Sequence, residues 1–371
     1  MTIGILKEPT GENRVSALPE IVAQFVKLNT SVIVESGAGD TAFAADADYT
    51  TAGASIHTRS EVLSQADIIL SITQPSETTF KSNAVVLGVY QPLFNFQLMK
   101  EWASKGFTTF SMDTIPRTTR AQSMDVLSSQ ANIAGYKAVL LAATTYSRYF
   151  PMFMTAAGSI TPAKMLILGA GVAGLQAIAT AKRLGAVVEV FDTRPAVKEE
   201  VMSLGAKFVE VEGAADASKA GGYAVEQTEE FIQKQKQKIA ESAAKADIII
   251  TTAQIPGKKA PILIAKEMIA NMRSGSIIID LASVTGGNTD YTKNNETVVI
   301  NNVTIIGNSN LASMQPSDAS KMYGKNILNF LKLIIDKDGN INLNFEDDLV
   351  KGTCITHNGQ IVNERTAQLV N

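Results

Sequence analysis

An apolar run over residues 165–168 leads into Gly169, Gly171 and Gly174, an Ala-rich stretch follows, and a second apolar run over 187–191 ends on Asp192. Each of these residue types has a physical use at this spacing. The first glycine permits a tight turn out of a strand, the second lets the backbone approach a pyrophosphate, and the third lets helix and strand pack closely. A helix starting there points its unsatisfied N–H groups at an anion, and Asp192 can accept hydrogen bonds from an adenosine ribose. A lone glycine triplet marks no more than a turn. Here strand, glycines, helix, second strand and acid coincide, which predicts a Rossmann βαβ unit. A carboxylate in that place pairs with a 2′-hydroxyl and repels a 2′-phosphate, favouring NAD(H) over NADP(H). Arg194 pulls the other way, since a guanidinium can hold a 2′-phosphate; Asp192 is expected nearer the ribose, with Arg194 in a solvated loop.

A second group of polar residues lies upstream: Arg117, Arg120, Gln122, Asp125, Ser128, Ser129 and Gln130. If the chain is helical from residue 123, Asp125 and Ser128 share a face, and a preceding loop brings Arg117 and Gln122 to the same mouth. The same residues also read as a helix N-terminus with capping side chains beside a solvated loop. Downstream, residues 211–231 are rich in Ala, Gly and Ser and poor in apolar anchors, the composition of a mobile segment. It reads equally as a tolerated surface insertion and as a lid carrying Tyr223.

The elements that must position these groups follow from the apolar pattern. Short apolar runs at 3–6, 32–35, 68–72 and 84–89 alternate with helical stretches at 18–28 and 94–105, the rhythm of a parallel α/β domain. A helical stretch over 123–149 connects it to the Rossmann unit. There the runs 206–211, 247–252, 276–280 and 303–307 are short and β-branched, as in a sheet covered on both faces, with a helix over 226–246. A helix over 317–335 and short strands beyond it are too few for a third core and are expected to complete the first domain. The expected fold is therefore α/β, with two doubly wound parallel-sheet domains separated by a cleft. The N-terminal domain takes residues 1–132 plus 308–371, and the Rossmann domain 133–307.

Composition excludes several classes. A net charge of −3 gives no support to nucleic-acid binding, one cysteine cannot form an internal disulfide, and two histidines with that cysteine cannot assemble a usual zinc site. No metal is expected. The N-terminus lacks the apolar core of a secretory signal, and the apolar-looking stretch 165–181 is broken by the glycine turn, so no membrane span is expected.

The segments KEP and ENRVSALP, RTTRAQSMDVLSSQ, GAGVAGLQAIATAKRLGA, FDTRP, AGGYA, TTAQIPGKKAP and IIDLAS with GGN together resemble the NAD(H)-binding domain I of proton-translocating nicotinamide nucleotide transhydrogenase, nearly end to end. Alanine dehydrogenases share the N-terminal signature and the Rossmann unit but not the Arg-Ala-Gln-Ser-Met-Asp loop. The resemblance implies that Arg117, Gln122, Asp125 and Ser128 surround the nicotinamide, with Gln122 nearest the site of hydride transfer, and that Tyr223 is the tyrosine of a mobile loop. By motif position it also implies Gly169, Gly171, Val172, Ala173, Gly174, Asp192, Thr193, Arg194, Gly222 and Ala253 as cofactor-binding. The implied assembly is a homodimer of this NAD(H)-binding chain that docks one NADP(H)-binding domain III subunit, with proton movement in a separate membrane domain II subunit. The implied location is cytoplasmic, peripheral on the inner face of the membrane through those subunits.

Alanine dehydrogenases carry a substrate lysine and a catalytic histidine where this chain has Gln74 and Gln91, although Arg14 matches their carboxylate-binding arginine. Oxidising an amino acid requires a base for the amine proton, a carboxylate anchor and an activated water. Moving a hydride from one nicotinamide to another needs two rings held at near contact with water excluded, a task for amide, hydroxyl and guanidinium groups. The residues present suit the second demand. An alanine-dehydrogenase-like oxidoreductase and a non-catalytic NAD sensor stand as the alternatives, the first weakened by Gln74 and Gln91, the second by the polar cluster at 117–130.

Overall fold

The computed structural model describes residues 1–77, 80–211, 213 and 228–370. The chain divides into two compact units, residues 1–130 with 313–371, and residues 131–312. Both are α/β with mainly parallel sheets.

In the first unit, β1 (Thr2–Ile5), β2 (Ser31–Glu35), β3 (Ser55–His57), β4 (Ile68–Leu70), β5 (Val85–Gly88) and β6 (Thr108–Ser111) lie in the order β6-β5-β4-β1-β2-β3, all parallel. The tail strands Cys354–His357 and Gln360–Ile361 extend the sheet antiparallel beyond β6. Alternate strand residues feed two cores, because a parallel sheet is covered on both faces. One contains Ile3, Ile5, Ile68, Leu70 and Phe110, closed by Tyr323, Ile327, Phe330 and Leu331 of the helix Pro316–Ile334. The other contains Ile69, Val86, Tyr90 and Trp102. The returning tail thus supplies a core helix and two edge strands to this unit.

In the second unit, β7 (Phe153–Thr155) and β8 (Gly158–Ile160) form a hairpin of their own. β9 (Lys164–Leu168), β10 (Val187–Phe191), β11 (Lys207–Phe208), β12 (Ile248–Thr251), β13 (Ile277–Asp280), β14 (Glu296–Ile300) and β15 (Val303–Gly307) form a seven-stranded sheet in the order β11-β10-β9-β12-β13-β15-β14. Every pair is parallel except β14 with β15. Each sheet reverses its winding direction next to its first strand, at β1/β4 and at β9/β12. In open α/β sheets ligands bind beyond the carboxyl ends of the strands at such a point.

Several elements depart from expectation. The run 206–211 forms a strand over Lys207–Phe208 alone. β3, β6, β14 and the β7–β8 hairpin lie outside the apolar runs that the sequence pattern marks as strands. β6 reads Thr-Thr-Phe-Ser, yet every residue of it is buried, and β14 and the hairpin carry mostly exposed side chains at edges. The stretch 123–149 is a 3₁₀ turn over Thr119–Met124 followed by an α-helix over Val126–Thr145. Among the described residues no helix is long and apolar enough to cross a membrane. Gly222 and Tyr223 lie outside the described residues.

Candidate functional site

The glycine turn joins β9 to the helix Val172–Arg183, and its three glycines are required for different reasons. Gly169 has φ +104°, and a Cβ on it would come within 2.3 Å of Thr252 Oγ1. Gly174 packs so closely on the turn that a Cβ would sit 1.9 Å from the Gly169 carbonyl oxygen. Gly171 is different: its φ of −76° suits any residue, and a Cβ there would meet nothing within 4 Å. Among the described residues nothing demands glycine at 171, and the missing side chain leaves space on the outside of the turn. Gly171 brings no capping side chain to the helix, so the first N–H groups of this positive N-terminal end take no cap from the residue that precedes them. Val172 is exposed on the first turn. Ala173 is pinned from behind by Gly135, where a Cβ would come within 2.1 Å of the Ala173 carbonyl oxygen.

Asp192 follows β10, and its Oδ2 accepts the Ala170 N–H at 2.7 Å, tying the strand end to the glycine turn. Arg194 is not the solvated loop residue the sequence suggested. Its backbone N–H and Nε–H donate to Asp192 Oδ1 at 2.8 and 2.9 Å, and its Nη2 donates to Oδ2 at 2.8 Å. The correction has a geometric cause, since the turn after β10 folds residue 194 back over its own strand end. The side chains are 17% and 6% exposed, for Arg194 and Asp192 respectively. The hydrogen bonds to Asp192 hold the Arg194 guanidinium's pKa above its ordinary value. Thr193 is half-buried in the same turn.

Ala253, after β12, has both backbone groups engaged by one side chain. Its N–H donates to Asn288 Oδ1 at 3.1 Å and its carbonyl accepts from Asn288 Nδ2 at 2.9 Å. Asn288 is held in turn by the buried Asp280, whose Oδ2 accepts the Asn288 N–H at 2.6 Å and the Thr292 hydroxyl at 2.6 Å. Sequence reasoning left Asp280, Asn288 and Thr252 out of the site, although an acid at a strand end followed by Gly-Gly-Asn was legible as a braced turn.

In the first unit the structure sorts the polar run 117–130. Asp125 caps the helix Val126–Thr145: its Oδ1 accepts the Ser128 N–H at 2.9 Å and its Oδ2 accepts the Ser128 hydroxyl at 2.6 Å. Arg120 turns to Asp347 and Asp348. Ser129 donates to Asn326 Oδ1 at 2.7 Å, and Gln130 Oε1 accepts from Arg14 Nη1 at 2.8 Å. Arg117 and Gln122 are exposed. Arg14 also makes a two-pronged pair with Glu12, its Nε to Oε1 at 2.8 Å and its Nη2 to Oε2 at 2.6 Å. Burial works to raise the Glu12 carboxyl, but the hydrogen bonds and charge of Arg14 hold it below its ordinary value.

At the β1/β4 switch point the chain supplies its own anion. Glu8 is buried, and its Oε1 accepts the Ile72 N–H at 2.5 Å while its Oε2 accepts the Thr73 N–H at 3.0 Å and hydroxyl at 2.6 Å. Burial pushes its carboxyl above the ordinary range despite those bonds. Gln74 lines a cavity of about 290 Å³ there with Glu8, Glu35 and Arg59. Arg59 is committed within it, its Nη1 donating to Glu35 Oε2 at 2.8 Å and its Nη2 to Glu77 Oε2 at 2.8 Å. Gln91 sits at φ +48°, a strained position for a residue with a side chain.

A parallel sheet with a glycine turn at its switch point, an acid ending the neighbouring strand and an uncapped helix end define a dinucleotide-binding protein of the dehydrogenase type. The chain belongs to the alanine dehydrogenase/PNT family, whose N-terminal domain model matches residues 4–134 and whose C-terminal domain model matches residues 138–364. It is 47% identical over 375 residues to the first portion of the NAD(P) transhydrogenase subunit alpha of Rhodospirillum rubrum, covering 98% of each chain. It is 44% identical to the NAD(P) transhydrogenase subunit alpha of Haemophilus influenzae, covering 97% of this chain and 71% of that one. Among solved structures, the transhydrogenase of Sinorhizobium meliloti is similar, with a TM-score of 0.88 at 44% identity, covering 97% of this chain and all of that one. An L-alanine dehydrogenase shares the fold, with a TM-score of 0.81 at 22% identity.

Proposed function

We propose that this chain is the NAD(H)-binding component of a proton-translocating transhydrogenase, passing hydride between NADH and NADP⁺ bound on a partner domain III subunit. Proton movement is coupled through a separate membrane subunit, at whose cytoplasmic face the chain is peripheral. The observation that carries the reading is the glycine turn, where a Cβ on Gly171 would meet nothing among the described residues and the helix start has no side-chain cap. The dinucleotide supplies the hydride. The chain's residues do the rest: Gly169 to Gly174 receive the pyrophosphate, Asp192 and Thr193 hold the adenosine ribose, and Ala253, braced by Asn288, flanks the strand ends. Arg117, Gln122, Asp125 and Ser128 are assigned to the nicotinamide, Gln122 by orienting the ring, with Gly222 and Tyr223 completing the site. The homodimer is supported by the β7–β8 hairpin, which exposes Met152, Phe153, Met154 and Ile160; an isolated two-stranded hairpin is marginal alone.

An amino-acid dehydrogenase activity is disfavoured. Gln74 and Gln91 do not titrate near pH 7, and the Arg14 guanidinium is engaged by Glu12 and Gln130. The test is to mix the purified chain with a soluble NADP(H)-binding domain III and follow hydride transfer to an NAD analogue. Turnover is expected there and none with alanine and NAD⁺; alanine-dependent NADH formation by the chain alone reverses the assignment.

A further inference from the structure

The Asp192 carboxylate is saturated. An ionised carboxylate offers about four lone-pair sites. Oδ1 takes the backbone N–H and Nε–H of Arg194, at 2.8 and 2.9 Å, and Oδ2 takes the Ala170 N–H and Arg194 Nη2, at 2.7 and 2.8 Å. A ribose with its 2′- and 3′-hydroxyls needs acceptor sites on that same carboxylate. Two of the four donors are backbone groups of the turn and stay whatever the side chain at 194. The other two belong to the guanidinium, one on each oxygen. Withdrawing the guanidinium therefore frees one acceptor site per oxygen, matching the two ribose hydroxyls. The exposed Glu200, on the helix Lys198–Ser203, already attracts Arg194 and offers it a place to go.

We propose that Arg194 is an internal competitor of the adenosine ribose: it closes on Asp192 in the free protein and must swing off for the dinucleotide to bind. The inference rests on the NAD(H)-binding reading and concerns how that site opens. With a competing closed state, the apparent dissociation constant is the intrinsic one divided by the open fraction, so removing the competitor tightens binding. Deleting a cation near a pyrophosphate ordinarily weakens binding, so the two explanations differ in sign.

The experiment is calorimetric titration of the full-length chain and its Arg194→Met variant with NADH, ADP-ribose and nicotinamide mononucleotide. The variant is expected to bind NADH and ADP-ribose about tenfold more tightly, the gain set by a closed fraction of roughly nine in ten, with no gain for the mononucleotide, which lacks the adenosine ribose. Arg194→Lys keeps the charge but loses the two-pronged geometry, and is expected to fall between the two. Unchanged or weaker NADH binding by both variants, with the parent chain binding normally, overturns the proposal alone. Failure of the parent chain and both variants to bind NADH overturns the NAD(H)-binding reading and the proposal with it.

Discussion

The two sheets share one winding order around their first strands, yet their switch points differ. In the second unit the turn after β9 is residues 169–171, and the helix begins at Val172 with no side-chain cap. In the first unit the chain between β1 and its helix runs over residues 6–18. That long loop places the Glu8 carboxylate on the Ile72 and Thr73 N–H groups. The topology offers a crevice in both places. The turn decides whether a carboxylate of the chain fills it or a ligand can. A buried carboxylate brings its desolvation penalty with it, so the first unit holds a raised Glu8 where the second keeps open space.

The largest expected effect separates the glycines. Gly174→Ala forces a Cβ onto the Gly169 carbonyl and is expected to cost about 3 kcal/mol or more by overpacking, read as a drop in thermal midpoint. Gly171→Ala meets no atom of the described residues and is expected to leave stability within about 0.5 kcal/mol while abolishing measurable NADH binding. If the 171 variant binds NADH like its parent, the open turn is not a phosphate site and the contrast between the units loses its functional meaning.

The next effect tests the division of labour. If binding resides in the second unit and ring orientation in residues 117–130, Gln122→Asn should cut hydride transfer on the order of 100-fold, the scale of a 1 Å misplacement, with NADH affinity unchanged. Stopped-flow transfer with domain III beside a separate NADH titration measures both. A rate loss fully accounted for by weaker binding would remove Gln122 from the transfer site.

Asp192→Ala is expected to weaken NADH binding by roughly 1.5 to 3 kcal/mol, the range for a hydrogen bond to a charged group, and to narrow the preference over NADPH. Equilibrium dialysis with both nucleotides reads the ratio. Equal affinities in the parent chain would already show that the carboxylate does not select.

The smallest effect lies in the first unit and concerns pH. Burial raises the Glu8 carboxyl above its ordinary 4.5 in the fold. The folded chain therefore holds this proton more tightly than the unfolded chain. The contribution of Glu8 to stability is greatest below 4.5 and is lost as pH rises toward the raised value. Glu8→Gln has no such dependence, so the stability difference between parent and variant should shift against the parent on raising the pH from 4 to 8. Urea midpoints across that range check it; a constant difference would mean that Glu8 is charged in fold and coil alike.

The sequence showed the strands that a doubly covered sheet makes conspicuous. Residues 165–168, 187–191, 276–280 and 303–307 are mostly apolar because both faces of the sheet are covered, and each contains a strand. Gly169, Gly174 and Asp192 were legible for a related reason, since a tight turn and a close helix–strand approach admit few residue types. Where burial and residue type disagree, the pattern fails, as in the buried Thr-Thr-Phe-Ser of β6 and the exposed edge β14. The meaning of Asp125 and Ser128 was open in the sequence between a nicotinamide contact and a helix cap; the cap is the geometry they adopt.

By itself, then, the amino-acid order determined the two α/β units, the glycine turn and the acid that ends β10, because these depend on local sterics and on apolar runs that no long-range contact is needed to interpret. What only the tertiary structure decided are the partners of charged groups. Nothing in the spacing says that Glu8 reaches residues 72 and 73, that Asn288 braces Ala253, or that Arg194 fills both oxygens of Asp192. Long polar side chains have many rotamers in reach of many donors, and only the folded backbone, by fixing directions and excluding water, selects among them.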